Sequence, residues 1–209
     1  MLDWKQMDWS QVYWIGGSPC SGKSSVAEIL CAQLGWYSYR ADDFFGRHVQ
    51  RSTAQFQPLT WRLSSLSPEE IWMAPVAEQV ERELGIYREI FGFILEDIAG
   101  LPKPVLVEGA ACMPELVKAF IEQGSRAVWM IPTEAFQRRH YAMRPWAQGI
   151  VQDCSDPRRA YDNWMARDAL FASEISRQTS VMGLPLKVVD GDQGIEENAS
   201  WVKAELLQD

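Results

Sequence analysis

Residues 16–25, which read GGSPCSGKSS, combine small side chains with a single lysine between an apolar run and a helical pattern. The spacing Gly17-x4-Gly22-Lys23-Ser24 matches the Walker A phosphate-binding loop, which joins a strand to a helix. Backbone N–H groups of such a loop surround phosphate oxygens, and glycines at positions 17 and 22 are expected to let the backbone approach them closely. The sequence therefore predicts a phosphate site formed by Gly17, Ser18, Cys20, Ser21, Gly22, Lys23, Ser24 and Ser25.

Three of these residues have more specific predicted roles. Lys23 supplies a mobile positive charge to the outer phosphates, and the Ser24 hydroxyl ligates Mg²⁺. The helix that follows directs its free amides and the positive end of its dipole at the same anion. Cys20 is expected mainly to fill space, although the helix start and Lys23 could lower the pKa of its thiol.

Carboxylates follow two of the apolar runs that we interpret as strands. Asp42 and Asp43 lie in YRADDFFGRH after the second run, and Glu108 ends the third run in VLVEG. Ligands of open α/β sheets bind at the carboxyl ends of strands. A carboxylate there can accept the proton of an attacking hydroxyl or hold a metal-bound water. The alternatives are structural, since Asp42 or Asp43 could N-cap a helix over 43–49 and Glu108 could serve only the fold.

Arginines are concentrated in one part of an acidic chain. The net charge is −8, yet six arginines and no lysine lie between residues 134 and 168: Arg138, Arg139, Arg144, Arg158, Arg159 and Arg167. This distribution favours a compact anionic ligand. The negative net charge argues against nucleic-acid polymers as partners, because they require a basic face.

Length and composition predict one globular domain over 1–209, since 209 residues with 47% hydrophobic content supply one sizeable core. No apolar run approaches the length of a membrane span, and the N-terminus does not resemble an export signal. The four cysteines form no CxxC pair. We therefore expect no membrane partner, no disulfide or zinc framework, and a cytoplasmic location.

Strand-like and helical patterns alternate along the chain. The predicted strands are 12–16, 36–40, 104–108, 126–131 and 185–190, and helical patterns cover 23–34, 86–99 and 195–207, with further helix starts at Ser67-Pro68 and Asp156-Pro157. This alternation predicts a doubly wound α/β sheet with right-handed crossovers. The block at about 49–100 is longer than a crossover needs, and we interpret it as a helical insert over the site.

These motifs together resemble the small P-loop kinases, namely shikimate kinase, gluconate kinase, related antibiotic-phosphorylating enzymes and, more distantly, the zeta-toxin kinases. The similarity is specific over 12–25 and patchy but ordered elsewhere. It implies a three-layer α/β/α fold with a five-stranded parallel sheet in the order 2-3-1-4-5. It also implies ATP and Mg²⁺ as cofactors and phosphoryl transfer to a hydroxyl of a small molecule.

The same resemblance suggests roles for the carboxylates and for the lid. Asp42 would be the base or an acceptor ligand, with Asp43 in reserve and as a metal ligand. Glu108 resembles the Glu-Gly ending of uridine kinase-like enzymes, and could hold a metal-bound water or contact the acceptor. The lid, at about 137–156, would carry Arg144 over the transferring phosphate, while Arg138 or Arg139 packs on the adenine.

Other residues receive weaker assignments. Asp190 and Gly191 would form the adenine-side loop, although a tight strand-to-helix turn explains them almost as well. Arg158 or Arg159 could meet an anionic acceptor, but helix-surface arginines are usually solvated. Arg47 and His48 could line the acceptor pocket, with a solvated helix face as the other interpretation.

Three hypotheses remain open from the sequence. The first is an ATP- and Mg²⁺-dependent kinase acting on a hydroxyl of a small metabolite, antibiotic or nucleoside. The second is a nucleoside monophosphate kinase, which the lack of a Pro-Arg pair after EGAACMPE disfavours. The third is a regulatory nucleotide-binding NTPase without an acceptor. The acceptor, the choice of base among Asp42, Asp43 and Glu108, and the oligomeric state are not readable from the sequence.

Overall fold

A computed structural model describes residues 7–208, and five parallel strands form its centre. The strands are β1 (Val12–Gly17), β2 (Tyr37–Arg40), β3 (Val105–Glu108), β4 (Arg126–Pro132) and β5 (Leu186–Val189). They pair in the order β2-β3-β1-β4-β5, with Ile15 opposite Glu108 on one side and opposite Val128 on the other. The predicted strands and the predicted strand order are confirmed.

Ten helices are described in this part of the chain: α1 (Lys23–Leu34), α2 (Phe45–Arg51), α3 (Pro58–Leu63), α4 (Pro68–Trp72), α5 (Val76–Ala99), α6 (Pro114–Ile121), α7 (Glu134–Ala142), α8 (Pro145–Val151), α9 (Pro157–Met182) and α10 (Ile195–Leu207). The block between β2 and β3 is helical, as expected. Its main helix, α5, begins ten residues before the predicted start, directly after Pro75. Proline fits the edge of a helix because its missing N–H would be unpaired there in any case.

Both faces of the sheet are covered by helices, which explains the nearly continuous apolar strands. Successive side chains of a strand point to opposite faces. Trp14 therefore packs with α5, α6 and α9 on one side, while its neighbour Ile15 packs with α1 and α10 on the other. Buried strands of this kind place their carboxyl ends, and whatever follows them, along one edge.

Asp42 and Asp43 lie in a 3-10 turn, Ala41–Phe44, which continues directly into α2. The residue that precedes α2 is Phe44, so neither aspartate caps that helix. The structural alternative for this pair is therefore wrong, and their carboxylates are free of a capping role. The predicted helix start at Ser67-Pro68 is confirmed by a capping box, in which the Ser67 and Glu70 side chains each accept from the other's backbone N–H.

Gly17 is required by the sheet. Its φ is +121°, and a Cβ placed there would come within 1.9 Å of the Met130 carbonyl oxygen on the neighbouring strand. The contact with β4 is thus a reason for glycine that the loop motif did not reveal, and the predicted approach of Gly17 to a phosphate stays a prediction. Gly22, with φ +85°, is the residue that the left-handed turn before α1 demands.

Within residues 7–208, no helix combines the length and the apolar composition needed to cross a bilayer.

We expect Gly17→Ala to destabilise the fold by at least about 3 kcal/mol, because backbone atoms of β4 cannot yield to the added carbon. The control is Gly92→Ala, at an exposed helical position where a Cβ meets no atom within 4 Å. That change should raise stability by about 0.5–1 kcal/mol. Urea unfolding measures both, and equal midpoints for Gly17→Ala and wild type would show that β1 and β4 are not so close.

Candidate functional site

The loop between β1 and α1 is held by its own polar side chains. Ser18 and Ser21 are buried, and the Ser21 hydroxyl donates to the Ser18 carbonyl at 3.0 Å. The Ser18 hydroxyl donates to the backbone carbonyl of Asp168 in α9 at 3.2 Å. Both hydroxyls donate to protein carbonyls. In the predicted phosphate site, Ser18 and Ser21 would therefore contribute their backbone amides.

Lys23 points back into the same loop. Its side chain is buried, and Nζ donates to the Ser18 carbonyl oxygen at 2.8 Å. The ammonium group therefore lies inside the curve of backbone that begins α1, where the free N–H groups of the helix also collect. This arrangement concentrates positive charge at one point and suits an anion of phosphate size.

Cys20 adopts a left-handed conformation, with φ +65°, within this loop. Burial raises the pKa of its thiol, and the opposing effects of Arg144 and Lys23 do not reverse the shift. The lowered pKa considered from the sequence is therefore wrong, and Cys20 is a neutral thiol at neutral pH.

Two carboxylates lie at the strand ends beside the loop. Asp42 is exposed, and its Oδ1 accepts a hydrogen bond from the Ala110 amide at 3.1 Å, which fixes the carboxylate after β3. Glu108 is buried at the end of β3, and its Oε2 has no hydrogen-bond partner within residues 7–208. Burial raises the pKa of Glu108, against the lowering effects of Lys23 and of the Ser24 hydroxyl.

Asp43 has a different environment from Asp42. Its carboxylate pairs with the Arg40 guanidinium at 3.2 Å, and its side chain is 56% exposed. Arg40 also lies 3.5 Å from Glu108. Asp43 is thus engaged on the outside of the strand end, which does not support the metal-ligand role predicted for it.

The residues present fit a magnesium ion that depends on phosphate. In the described part of the chain, no group of three or more His, Cys, Asp or Glu side chains forms a metal site alone. Mg²⁺ commonly takes one or two protein oxygens together with substrate phosphates and waters. Ser24 at the loop and the unpartnered Oε2 of Glu108 supply such oxygens, because the two side chains interact.

A cavity of about 680 Å³ opens on one side of the loop; we call it the loop cavity. Cys20, Ser21, Gly22 and Ser25 contribute the loop side of its wall. The opposite side comes from α7, from the α7–α8 junction and from the turn after β5, through Arg139, His140, Arg144, Phe136 and Gly191. Sequence-distant residues predicted to contact one nucleotide, including Arg139, Arg144 and Gly191, therefore meet around one space.

Arg138 and Arg139 have different surroundings in the structure. The sequence spacing left open which of the two would contact the nucleotide. Arg138 pairs with Glu134 at 2.9 Å and Asp162 at 3.0 Å, on the outer side of α7. Arg139 lies against Gly191, where a Cβ would come within 2.9 Å of its Nη2. Arg139 is consequently the one of the two that lines the loop cavity.

Several other predicted site residues are not brought to this cavity. Asp190 is exposed, and its Oδ1 accepts from the Asp192 amide, so it shapes the turn. Arg158 borders a separate depression between α8 and α9, and the exposed Arg159 follows the Asp156 cap of α9. The structure therefore gives no support to the predicted binding roles of Asp190, Arg158 and Arg159.

Arg47 and His48 belong to a polar cluster around Asp97, in which His48 is buried and Arg47 is half exposed. The Asp97 carboxylate accepts from the Tyr39 hydroxyl at 2.7 Å and contacts His48 Nε2 at 2.8 Å. Arg47 pairs with the same carboxylate and stacks on Phe44. His48 is fully buried, so a solvated face is the wrong interpretation for it, and the cluster fastens α2 to α5 rather than lining a pocket.

A second cavity, of about 550 Å³, lies on the other side of the loop; we call it the aromatic cavity. Pro19 of the loop and Asp42 form part of its wall. Six aromatic side chains supply most of the rest: Phe45, Trp72, Tyr87, Tyr141, Trp146 and Trp164. Sequence reasoning did not locate this cavity.

A buried ionic cluster that sequence reasoning missed links the aromatic cavity to the loop between β1 and α1. Glu83 of α5 lies 3.1 Å from Arg167 Nε, and Arg167 Nη2 lies 2.6 Å from Asp168. The fully buried Asp168 accepts from the Tyr141 hydroxyl at 3.1 Å, while its backbone carbonyl holds Ser18. The adjacent charges of Arg167 and Asp168 within one helix were a sequence signal for this cluster. No feature of the sequence near Glu83 identifies it as the third member.

The cluster of Glu83, Arg167 and Asp168 contains two carboxylates and one guanidinium, and this imbalance affects its protonation. Burial raises the pKa of Glu83 to about 7, although Arg167 opposes the shift. Burial likewise raises the pKa of Asp168. Uptake of one proton by the Glu83 carboxyl removes the excess negative charge of the cluster.

Solved structures with a similar fold were found, whereas no protein-family model and no curated protein matches the chain. A gluconokinase from Sinorhizobium meliloti is 18% identical, with 96% of this chain and 93% of that chain covered and a TM-score of 0.43. A shikimate kinase from Bacteroides thetaiotaomicron is 11% identical, with coverages of 92% and 96% and a TM-score of 0.47. A deoxyadenosine kinase from M. mycoides is 10% identical, with coverages of 94% and 100% and a TM-score of 0.48.

Similarity at this level does not establish an activity. The identities are at most 18% and the TM-scores at most 0.48 for these three structures. The fold assignment accordingly depends on the observed strand order and on the loop between β1 and α1.

We expect Glu83→Gln to change how stability depends on pH. The folded-state pKa of Glu83 is raised above its ordinary value of 4.5, so the wild type loses stability as pH rises through about 7. The variant lacks this loss, and its stability relative to wild type should increase by on the order of 3 kcal/mol between about pH 5 and about pH 8. Urea unfolding at both pH values measures it, and a pH-independent difference would contradict the assignment.

Proposed function

We propose that the protein is a kinase that uses ATP and Mg²⁺ to phosphorylate a hydroxyl group of a small molecule. One observation carries the proposal, namely that the phosphate loop is the common wall of two cavities. Cys20, Ser21 and Gly22 line the loop cavity, whereas Pro19 and Asp42 line the aromatic cavity. A nucleotide in the first cavity and an acceptor in the second would meet at the loop.

In this proposal the nucleotide occupies the loop cavity with its phosphates against the loop. Lys23 exchanges the Ser18 carbonyl for the β- and γ-phosphate oxygens, and the amides before α1 hold the remaining phosphate charge. Arg139 packs beside the adenine, and Gly191 allows that approach. Arg144, which rests on the Tyr141 and Trp146 rings at 5.2 and 5.6 Å, supplies the positive charge opposite Lys23.

Ser24 and Glu108 would hold Mg²⁺, with phosphate oxygens and waters completing its coordination. The ion, when bound, neutralises charge on the β- and γ-phosphates. Asp43 is omitted from this set because its carboxylate is paired with Arg40.

Asp42 is the proposed base. The Ala110 amide occupies Oδ1, which leaves Oδ2 for the acceptor hydroxyl. As that proton passes to Asp42, the acceptor oxygen bonds to the γ-phosphorus. The bond from this phosphorus to the β,γ-bridging oxygen breaks, and its electron pair leaves with ADP.

The second cavity also separates this proposal from its alternatives. A regulatory NTPase has no need of a 550 Å³ space that shares the phosphate loop and contains a carboxylate at its rim. A nucleoside monophosphate kinase must bind an acceptor phosphate, which requires surplus positive charge in that space. The aromatic cavity contains Arg82 and Arg167, but also the carboxylates of Asp42 and Glu83.

ADP release in the presence of sugars, sugar acids, nucleosides and antibiotic alcohols tests the proposal. We expect at least one acceptor to accelerate ADP release, with Lys23→Ala abolishing turnover. Asp42→Asn should lower kcat by about two to four decades, while Asp43→Asn serves as the matched control. ATP hydrolysis that is indifferent to every acceptor would contradict the kinase, and a loss below about tenfold in Asp42→Asn would move the base to Glu108.

We expect Arg144→Ala to lower kcat on the order of a thousandfold, since a guanidinium at the transferring phosphate has effects of this size. Arg138→Ala is the matched control, because that arginine pairs with Glu134 and Asp162 on the outside of α7. Its kcat should remain within about threefold of wild type. Steady-state kinetics measure kcat for both variants. Equal decreases in kcat would contradict the assignment of Arg144, and not Arg138, to the transferring phosphate.

A further inference from the structure

The polar groups of the aromatic cavity have no surplus positive charge. Arg167 is paired with Glu83 and with Asp168, and the Arg82 guanidinium donates to the Ile71 carbonyl at 2.7 Å. Asp42 and Glu83 belong to the cavity wall, and Asp168 lies behind it as a partner of Arg167, so that three carboxylates oppose the two guanidiniums. The sum is −1 when Glu83 is ionised and zero when it is protonated, so an anionic acceptor gains no net attraction there.

The wall of this cavity is a connected group of flat side chains. Trp164 lies at its centre, with ring centroids 5.0 Å from Trp72, 4.9 Å from Tyr141 and 6.1 Å from Trp146. Trp146, on α8, leaves 51% of its surface exposed. A ring-bearing ligand would cover that surface, whereas a polyol would leave many of its hydroxyls facing aromatic carbon.

Three buried polar atoms in this wall lack hydrogen-bond partners within residues 7–208. One of them, Glu83 Oε2, faces the Arg167 guanidinium at 3.1 Å, and the other two belong to Gln79 and Trp164. Gln79 is 1% exposed, and its Nε2 donates to the carbonyls of Trp72 at 3.0 Å and Ala74 at 2.9 Å, which fixes the orientation of the amide. Gln79 Oε1 is thereby left without a donor, and Trp164 Nε1 is left without an acceptor. Buried polar atoms in native proteins are normally paired, so a ligand is the expected source of the missing groups.

We propose that the phosphoryl acceptor is an uncharged, ring-bearing alcohol that carries an N–H group, with the ring against Trp146 and the N–H donating to Gln79 Oε1. This inference rests on the proposed kinase function and narrows it to one acceptor class. The shared chemistry is available in nucleosides, whose base provides ring and N–H, and in aryl amide alcohols. Sugar acids and polyol carboxylates are excluded from the class.

Calorimetry on the whole protein without nucleotide tests binding independently of catalysis. The probes are thymidine and cytidine for the nucleoside source, chloramphenicol for the aryl amide source, and shikimate and gluconate as anionic comparators. We expect a ring alcohol to bind and the two acids not to bind. Binding of thymidine or cytidine alone would identify the nucleoside source, and binding of chloramphenicol alone would identify the aryl amide source.

Trp146→Ala should weaken binding of that ring alcohol by about tenfold, as stacking contributions to ring ligands suggest. Trp61→Ala is the matched control, because Trp61 is also 51% exposed but does not line the cavity. Trp146→Phe should restore most of the affinity, which loss of folding would not allow. Equal binding by Trp146→Ala and wild type would overturn the inference.

The N–H requirement is tested on the ligand, so that no change in protein stability intervenes. The N-methylated analogue of the bound ring alcohol should bind at least about tenfold more weakly, because Gln79 Oε1 is then left unpaired. Undiminished affinity of the analogue would overturn the assignment to Gln79.

ADP release with the same compounds separates this inference from the kinase proposal. Acceleration by shikimate or gluconate and by no ring alcohol would overturn the acceptor class while supporting a kinase. Binding of a ring alcohol that never accelerates ADP release would support the recognition of rings and contradict the kinase. Absence of both binding and acceleration with every ring alcohol would overturn the inference.

Discussion

The attachment of the phosphate loop to α9 is the constraint on which the remaining site depends. Ser18 is the shared point, because its hydroxyl donates to the Asp168 backbone while its carbonyl accepts from Lys23. A glycine-containing loop is otherwise conformationally free, and freezing it costs entropy. Buried hydrogen bonds on both sides of Ser18 offset that cost, so the amides face one position before any ligand is bound.

Charge burial couples this loop to the helical block above it. Asp168 and Glu83 share Arg167, and Tyr141 brings α7 to the same carboxylate. Breaking a buried pair by removing one partner is strongly destabilising, since the other charge stays behind without water. These contacts therefore fix the relative positions of α5, α7 and α9. The loop between β1 and α1 lies between the two cavities that these helices help to form.

The strand ends and helix starts were predictable because they depend on neighbours in sequence. Alternation of apolar residues identified five strands, Pro68 and Pro157 lie at the first positions of α4 and α9, and the loop motif placed Lys23 at the start of α1. The start of α5 was missed because residues 76–85 have a weaker apolar pattern than 86–99. Local signals thus gave the order of the elements and the residues at the carboxyl edge of the sheet.

The sequence alone determined the α/β architecture, the phosphate loop and the presence of Asp42 and Glu108 at strand ends, because each follows from short-range spacing. Tertiary structure alone decided that Arg139 rather than Arg138 lines the loop cavity, that Gly17 is small for the sake of β4, and that Glu83 joins Arg167 and Asp168. The partners in these contacts lie from 50 to more than 100 residues apart in sequence. No local periodicity encodes such distances, since they are set only when the helices pack on the sheet.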